Sequence, residues 1–186
     1  MRIIAGTHRG RPIHMPKWEG TRPILDRQKE SLFNVLREAL PCLGVVDVFA
    51  GSGSLGLEAL SRGAEQGTFV ERGRPALQAL RKNMETLGFA DRAHVLARDV
   101  FSIDPERLHP FSLLFLDPPF PLYREHPTKV HDLIARLLGA GPCAADAVAM
   151  LRVPSDAEVP DFPEGVAETE RRPSGESVII LLRPDF

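Results

Sequence analysis

Apolar positions along this chain switch between short continuous runs and a spacing of three and four, with turn residues between them. Val45 to Phe49, Gly67 to Val70, His94 to Ala97, Phe111 to Leu116 and Ala147 to Val153 are runs of strand length. Leu55 to Arg62 closed by Gly63, Pro75 to Leu87 ended near Gly88, and Lys129 to Leu138 keep helical spacing. Strand and helix in alternation predict a parallel α/β sheet with right-handed crossovers and helices on both faces. A helix nearer the start is expected to begin at Asp26 as N-cap and to carry Leu32, Phe33, Leu36 and Leu40 up to Pro41.

Both ends depart from this alternation. Arg2 to Ala5 and Arg11 to Met15 flank Gly6-Thr7-His8-Arg9-Gly10, which predicts two short strands in a basic hairpin. Residues 1–20 are then expected as an appendage, with Pro16 to Pro23 as linker. Val166 to Arg171 and Ser177 to Leu182 flank Pro173-Ser174-Gly175-Glu176 and predict an antiparallel pair. A mostly parallel sheet ending in an antiparallel hairpin fits a Rossmann-like class I methyltransferase sheet better than a plain dinucleotide-binding one. With 186 residues and 43% hydrophobic content, residues 1–186 read as a single domain with one sizeable core.

No apolar run approaches the roughly 20 residues needed to span a bilayer, and Met1 to Gly6 lacks the apolar core of a signal peptide, so a cytoplasmic protein is expected. Cys42 and Cys143 form no CxxC pair and have no zinc spacing, so neither a metal site nor a disulfide is expected. The net charge of −2 conceals an asymmetry, because residues 1–30 carry seven basic side chains against three acidic ones. A basic leading segment on an acidic body suggests a face for a polyanion; ordinary solvated arginines are the plainer reading.

Asp47-Val48-Phe49-Ala50-Gly51-Ser52-Gly53-Ser54-Leu55-Gly56 follows the first core strand and opens a helix, where backbone comes close to a ligand. Gly51, Gly53 and Gly56 match G-x-G-x-x-G, and Glu71 lies twenty residues beyond Gly51, so a dinucleotide suits the spacing. A pyrophosphate has no use for the carboxylate of Asp47 beside the loop, whereas S-adenosylmethionine brings an ammonium and a sulfonium and no phosphate. Asp47 therefore tilts the reading toward that cofactor. Glu71 would accept from ribose hydroxyls with either cofactor, and Asp99 is placed to accept from an adenine amine or simply to cap a turn.

Leu116-Asp117-Pro118-Pro119-Phe120 closes the fourth core strand. The prolines fix φ and leave carbonyls free to accept from an amine, and Phe120 offers a face to a planar ring. This describes a pocket for an exocyclic amine on a base, with an Asp-Pro turn as the alternative.

Asp47 to Gly53 together with Asp117-Pro118-Pro119-Phe120 resembles the amino methyltransferases with a D-P-P-[YF] motif, which act on adenine or guanine amines in nucleic acid. Arg2-Ile3-Ile4-Ala5-Gly6, Arg9-Gly10-Arg11, Arg22-Pro23, Asp26-Arg27, Lys29-Glu30 through Phe33-Asn34, and Leu57 to Ala64 are similar to the bacterial 16S ribosomal RNA guanine-N2 methyltransferases of the small subunit. The likeness runs from the start to about Phe120. It implies methylation of a guanine N2 amine in 16S ribosomal RNA or the small ribosomal subunit. It further implies S-adenosylmethionine held by Asp47, Phe49, Gly51, Gly53, Glu71 and Asp99. The flipped guanine would be held by Asp117, Pro118, Pro119 and Phe120, and the RNA contacted by Arg9, Arg11 and Arg22. Two departures stand out: Ile24-Leu25 where the family has threonines, and Ser174-Gly175 where it tends to have Tyr-Gly. The alternatives are a DNA adenine-N6 or protein-glutamine methyltransferase, a non-catalytic RNA-binding assembly factor, and a nicotinamide oxidoreductase.

Overall fold

A computed structural model describes residues 1–16, 24–139, 142–159 and 161–185. Its strands are β1 (Gly44–Asp47), β2 (Gln66–Glu71), β3 (Ala93–Ala97), β4 (Phe111–Leu116), β5 (Cys143–Pro154), β6 (Val166–Ser174) and β7 (Ser177–Pro184). They form one sheet in the order β3-β2-β1-β4-β5-β7-β6, parallel from β3 through β5 and antiparallel where β7 pairs with β5 and β6. This is the expected class I methyltransferase arrangement. The chain order reverses between β1 and β4, the place where open α/β sheets bind ligands outside the carboxyl ends of their strands.

Each central strand is buried on both faces, which is why it reads as a continuous apolar run rather than an alternation. Along β4, Leu113 and Phe115 join one core with Phe33, Leu57, Phe69 and Leu80. Leu114 and Leu116 join the other with Val46, Val70, Leu133 and Leu137. Helices α1 (Asp26–Val35), α2 (Ser54–Ser61) and α3 (Arg74–Leu87) cover the first face; α4 (Pro121–Glu125) and α5 (Pro127–Gly139) cover the second. Gly88, at φ +70°, ends α3 as expected.

Two expectations about the front of the chain need correction. Leu25, not Asp26, is the N-cap of α1. Gln28 Oε1 accepts from the Leu25 N–H at 3.1 Å, while Asp26 begins the helix and its carboxylate pairs with Arg2. The helix also stops at Val35 and continues as a 3₁₀ turn over Leu36–Ala39.

The leading hairpin does close, through Ile3 N–H to Arg11 carbonyl at 2.9 Å and Ile13 N–H to Met1 carbonyl at 3.0 Å, but it forms a single bridge, Arg2 with Pro12, instead of two strands. The reason is competition: the Ile4 and Ala5 N–H groups donate to Glu58 at 2.7 and 3.0 Å. Nor does the hairpin stand off as an appendage. Ile3 and Ile13 are core residues, and Thr7 N–H donates to the Ser61 carbonyl at 2.8 Å. At Gly6, with φ +82°, a Cβ would lie 1.8 Å from the Ser61 oxygen, so only glycine permits this approach. The linker residues 17–23 lie outside the described residues.

Candidate functional site

A cavity of about 450 Å³ opens at the carboxyl ends of β1, β2 and β4 and beside the turn after β3, within the range of small-molecule sites. Asp47, Phe49, Gly51, Glu71, Asp99, Asp117, Pro118, Pro119 and Phe120 all line it. Residues from four separate loops are thus brought to one space. Met1, Met15, Pro16 and Ile24 add an apolar wall from the front of the chain. Ile24, one of the two departures, is 4% exposed there.

The glycine loop is held by its own acids. Gly51, at φ +56°, donates its N–H to Glu71 Oε2 at 2.9 Å, and Glu71 Oε1 accepts from Arg72 and Gly73 N–H at 2.8 and 2.6 Å. Asp47 Oδ2 accepts from Gly56 N–H at 3.1 Å, in the first turn of α2, where a helix presents donors to an anion. Asp47 is 2% exposed; desolvation raises its carboxyl to about 7, against the Gly56 hydrogen bond, with Asp117 and Glu71 adding repulsion.

Gly53 and Gly56 shape this loop from beneath and do not line the cavity. A Cβ on Gly53 would meet Leu80 at 2.5 Å and Leu57 at 2.9 Å; one on Gly56 would meet the Phe69 ring at 2.4 Å. Gly53 thus lets the start of α2 pack against α3, and Gly56 lets α2 pack against β2. Asp99 takes the turn-capping role, accepting from Phe101 N–H at 3.0 Å, and its other oxygen pairs with Arg72 at 2.7 Å while the residue still faces the cavity. Phe49 and Phe101 meet edge to face at 6.1 Å along the same wall.

After β4 the chain turns sharply into α4. The Pro119 carbonyl accepts from Leu122 N–H at 2.9 Å, while no described backbone N–H outside the helices and strands donates to the Pro118 carbonyl. Asp117 Oδ1 accepts from Arg152 Nε at 2.6 Å, and the Arg152 guanidinium lies 5.2 Å from the Phe120 ring centre. Burial raises the Asp117 carboxyl, with Arg152 opposing. Sequence reasoning overlooked Arg152. Its signal was a charged side chain in the middle of an apolar strand, as Phe101's was an aromatic two residues past Asp99.

Arg9 and Arg11 are exposed on the leading hairpin, do not line the cavity, and are paired with no described acid. Arg22 lies outside the described residues. The thiols of Cys42 and Cys143 are free, with Cys143 pushed up to about 11 by burial. No described helix is long and apolar enough to cross a membrane.

The sequence model of the family described as "Conserved hypothetical protein 95" matches residues 1–183. Ribosomal RNA small subunit methyltransferase D of Escherichia coli strain K12 is 43% identical over 120 residues, covering 64% of this chain and 60% of that protein. The chain therefore aligns with less than two thirds of that curated relative. The solved structure named "Putative methyltransferase yhhF from Escherichia coli" superposes with a TM-score of 0.84 at 32% identity, covering 100% of this chain and 98% of the other. TrmN from Thermus thermophilus, at 20% identity, shares the fold with a TM-score of 0.71 over 84% of this chain and 48% of its own.

Proposed function

The chain belongs to the family described as conserved hypothetical protein 95, and from that premise we propose that it transfers a methyl group from S-adenosylmethionine to the exocyclic N2 amine of a guanine in 16S ribosomal RNA. One observation carries the cofactor half. The donors that a glycine loop normally offers to phosphate, Gly51 N–H and Gly56 N–H, are already satisfied by Glu71 and Asp47. A pyrophosphate would meet two carboxylates at these donors, whereas a cationic, phosphate-free ligand is attracted. The acids on the cavity wall also outnumber its arginines, and Arg72 and Arg152 are spent on Asp99 and Asp117.

When bound, S-adenosylmethionine supplies a methyl carbon whose bond to positively charged sulfur breaks with both electrons left on sulfur. The protein's part is to present a nucleophile to it. A guanine amine is a poor one, because its lone pair is delocalised into the ring. Asp117 and the Pro118 carbonyl offer two acceptors for the two N–H bonds of such an amine, which draws the nitrogen toward tetrahedral geometry and frees the lone pair. The proton released after attack passes to Asp117 or to water. Phe120 supplies a stacking face for a base splayed out of its helix.

Ribosomal RNA as substrate is supported by the names of the curated relatives in Escherichia coli and Haemophilus influenzae. Guanine is supported by the likeness of Arg2 to Gly6 and Leu57 to Ala64 to the guanine-N2 enzymes. The test is incubation with methyl-labelled cofactor and small-subunit particles, naked ribosomal RNA or DNA, followed by nucleoside identification. N2-methylguanosine from ribosomal RNA is expected; label in DNA adenine, or no label in nucleic acid, overturns the proposal.

A further inference from the structure

We propose that Arg152 is the positioning residue of this site, holding Asp117 ionised and turned so that one carboxylate oxygen remains for the reacting amine. The inference rests on the methyl-transfer reading for its reaction but on geometry for its mechanism.

Every residue of β5 from Ala147 to Pro154 is buried, and Arg152 sits in that run at 7% exposure. A guanidinium placed there is costly to desolvate unless paired, and an aliphatic side chain would serve the core better. Among the described residues it reaches the D-P-P-F loop. Its Nε reaches Asp117 Oδ1 at 2.6 Å, its charged plane lies 5.2 Å from the Phe120 ring centre, and its carbonyl accepts from the Tyr123 hydroxyl at 2.7 Å. One strand residue thus fixes the carboxylate, the aromatic ring and the first turn of α4 together.

Three groups act on the Asp117 carboxylate. Asp47 faces it from β1 and repels its charge; Tyr123 faces it from α4 with a hydroxyl that burial keeps neutral; Arg152 faces it from β5 and is the only cation among these three. Burial favours the protonated acid, and a protonated Asp117 places an O–H donor where the amine needs an acceptor. Arg152 opposes that protonation and, by engaging Oδ1, leaves Oδ2 as the acceptor. A lysine could supply the charge but not a planar group against the Phe120 ring.

The experiment titrates the Asp117 carboxyl by carbon NMR in the full-length protein, without substrate, in the normal chain and in Arg152→Met, Arg152→Gln and Arg152→Lys. The Met and Gln variants should raise the midpoint by about one pH unit or more, and the acid limb of kcat against pH should move up by the same amount. Below the raised midpoint kcat should fall by about tenfold per pH unit and recover as pH rises, while S-adenosylmethionine affinity stays within about threefold. Lys should return the midpoint toward normal. If Met does not fold, Gln decides. A midpoint that does not move, or a kcat loss equal at every pH, overturns the inference. Absence of methyl transfer in the normal protein would sink the proposed function instead, and the titration would still decide whether Arg152 sets the Asp117 proton.

Discussion

Gly51 and Glu71, twenty residues apart in the chain, are joined by a 2.9 Å hydrogen bond from the glycine N–H to the carboxylate. The bond ties the turn after β1 to the end of β2. Glu71 is therefore part of the loop's construction before any ligand arrives, and because each carboxylate oxygen has about two acceptor sites, it keeps capacity for a sugar hydroxyl.

Replacing Glu71 by Ala leaves Gly51, Arg72 and Gly73 N–H without their acceptor. We expect the dissociation constant for S-adenosylmethionine to rise about tenfold or more, and unfolding free energy to fall by about 1–3 kcal/mol. Calorimetry and urea unfolding measure the two. Micromolar binding of NAD to the normal protein would revive the dinucleotide reading of the glycine loop.

Asp47 gives a pH dependence of known sign. Its carboxyl is raised from 3.8 to about 7 in the folded chain. Between those values the folded protein keeps a proton that the unfolded chain has released, so its contribution falls as pH rises, by at most on the order of 4 kcal/mol. Asp47→Asn removes that loss. Its stability advantage over the normal chain should grow from acid pH up to about 7 and then level off. Conversely, the affinity of the normal protein for S-adenosylmethionine should tighten as pH rises through about 7, and this trend should vanish in Asp47→Asn. Urea midpoints and calorimetry across that range check both.

Lys29 and Glu58, both fully buried, pair at 3.3 Å, and Lys29 also donates to the Arg2 carbonyl at 2.7 Å and to Ser54 at 3.3 Å. Burial lowers the Lys29 ammonium, with Glu58 opposing. This cluster pins the leading hairpin to the start of α2. Lys29→Met should cost on the order of 2–3 kcal/mol, because Glu58 then keeps only Arg62, at 2.8 Å, as its cation. Hydrogen exchange should show the Ile4 and Ala5 amides, which Glu58 accepts, losing protection before the sheet does.

Reversing Arg9 and Arg11 to Glu should weaken RNA binding while leaving cofactor affinity unchanged, since neither residue lines the cavity. For every phosphate that an arginine no longer neutralises, the log–log salt dependence of RNA affinity should flatten by about 0.7 to 0.9. Unchanged binding and methylation at moderate salt would make the hairpin a solvated surface. The C-terminal turn would be a poorer replacement, because Arg171 and Arg172 are already paired with Glu168 and Glu170.

The site was legible where a local pattern implies a chemistry. Asp47, Gly51, Glu71 and Asp117 to Phe120 stand at strand ends that the apolar runs mark, and the structure brings them to one cavity. Arg152 was not legible, because pairing a β5 residue with the end of β4 depends on the Leu116 to Leu151 register, which no local spacing encodes. The glycine motif gives Gly53 a ligand-facing reading; only the nearness of Leu80, from α3, and Leu57, from α2, reveals its packing role.

By itself the sequence determined the element order, the parallel sheet with its antiparallel ending, and the family's motifs, because hydrophobic periodicity and turn chemistry are local properties. Tertiary structure alone decided that the basic hairpin is docked through Glu58 and Ser61, that Glu71 and Asp47 accept from Gly51 and Gly56 N–H, and that Arg152 pairs with Asp117. Each of these is a polar group, wholly or partly buried, choosing among partners distant in sequence, and that choice is set by which N–H or charge lies within about 3 Å once the core has closed.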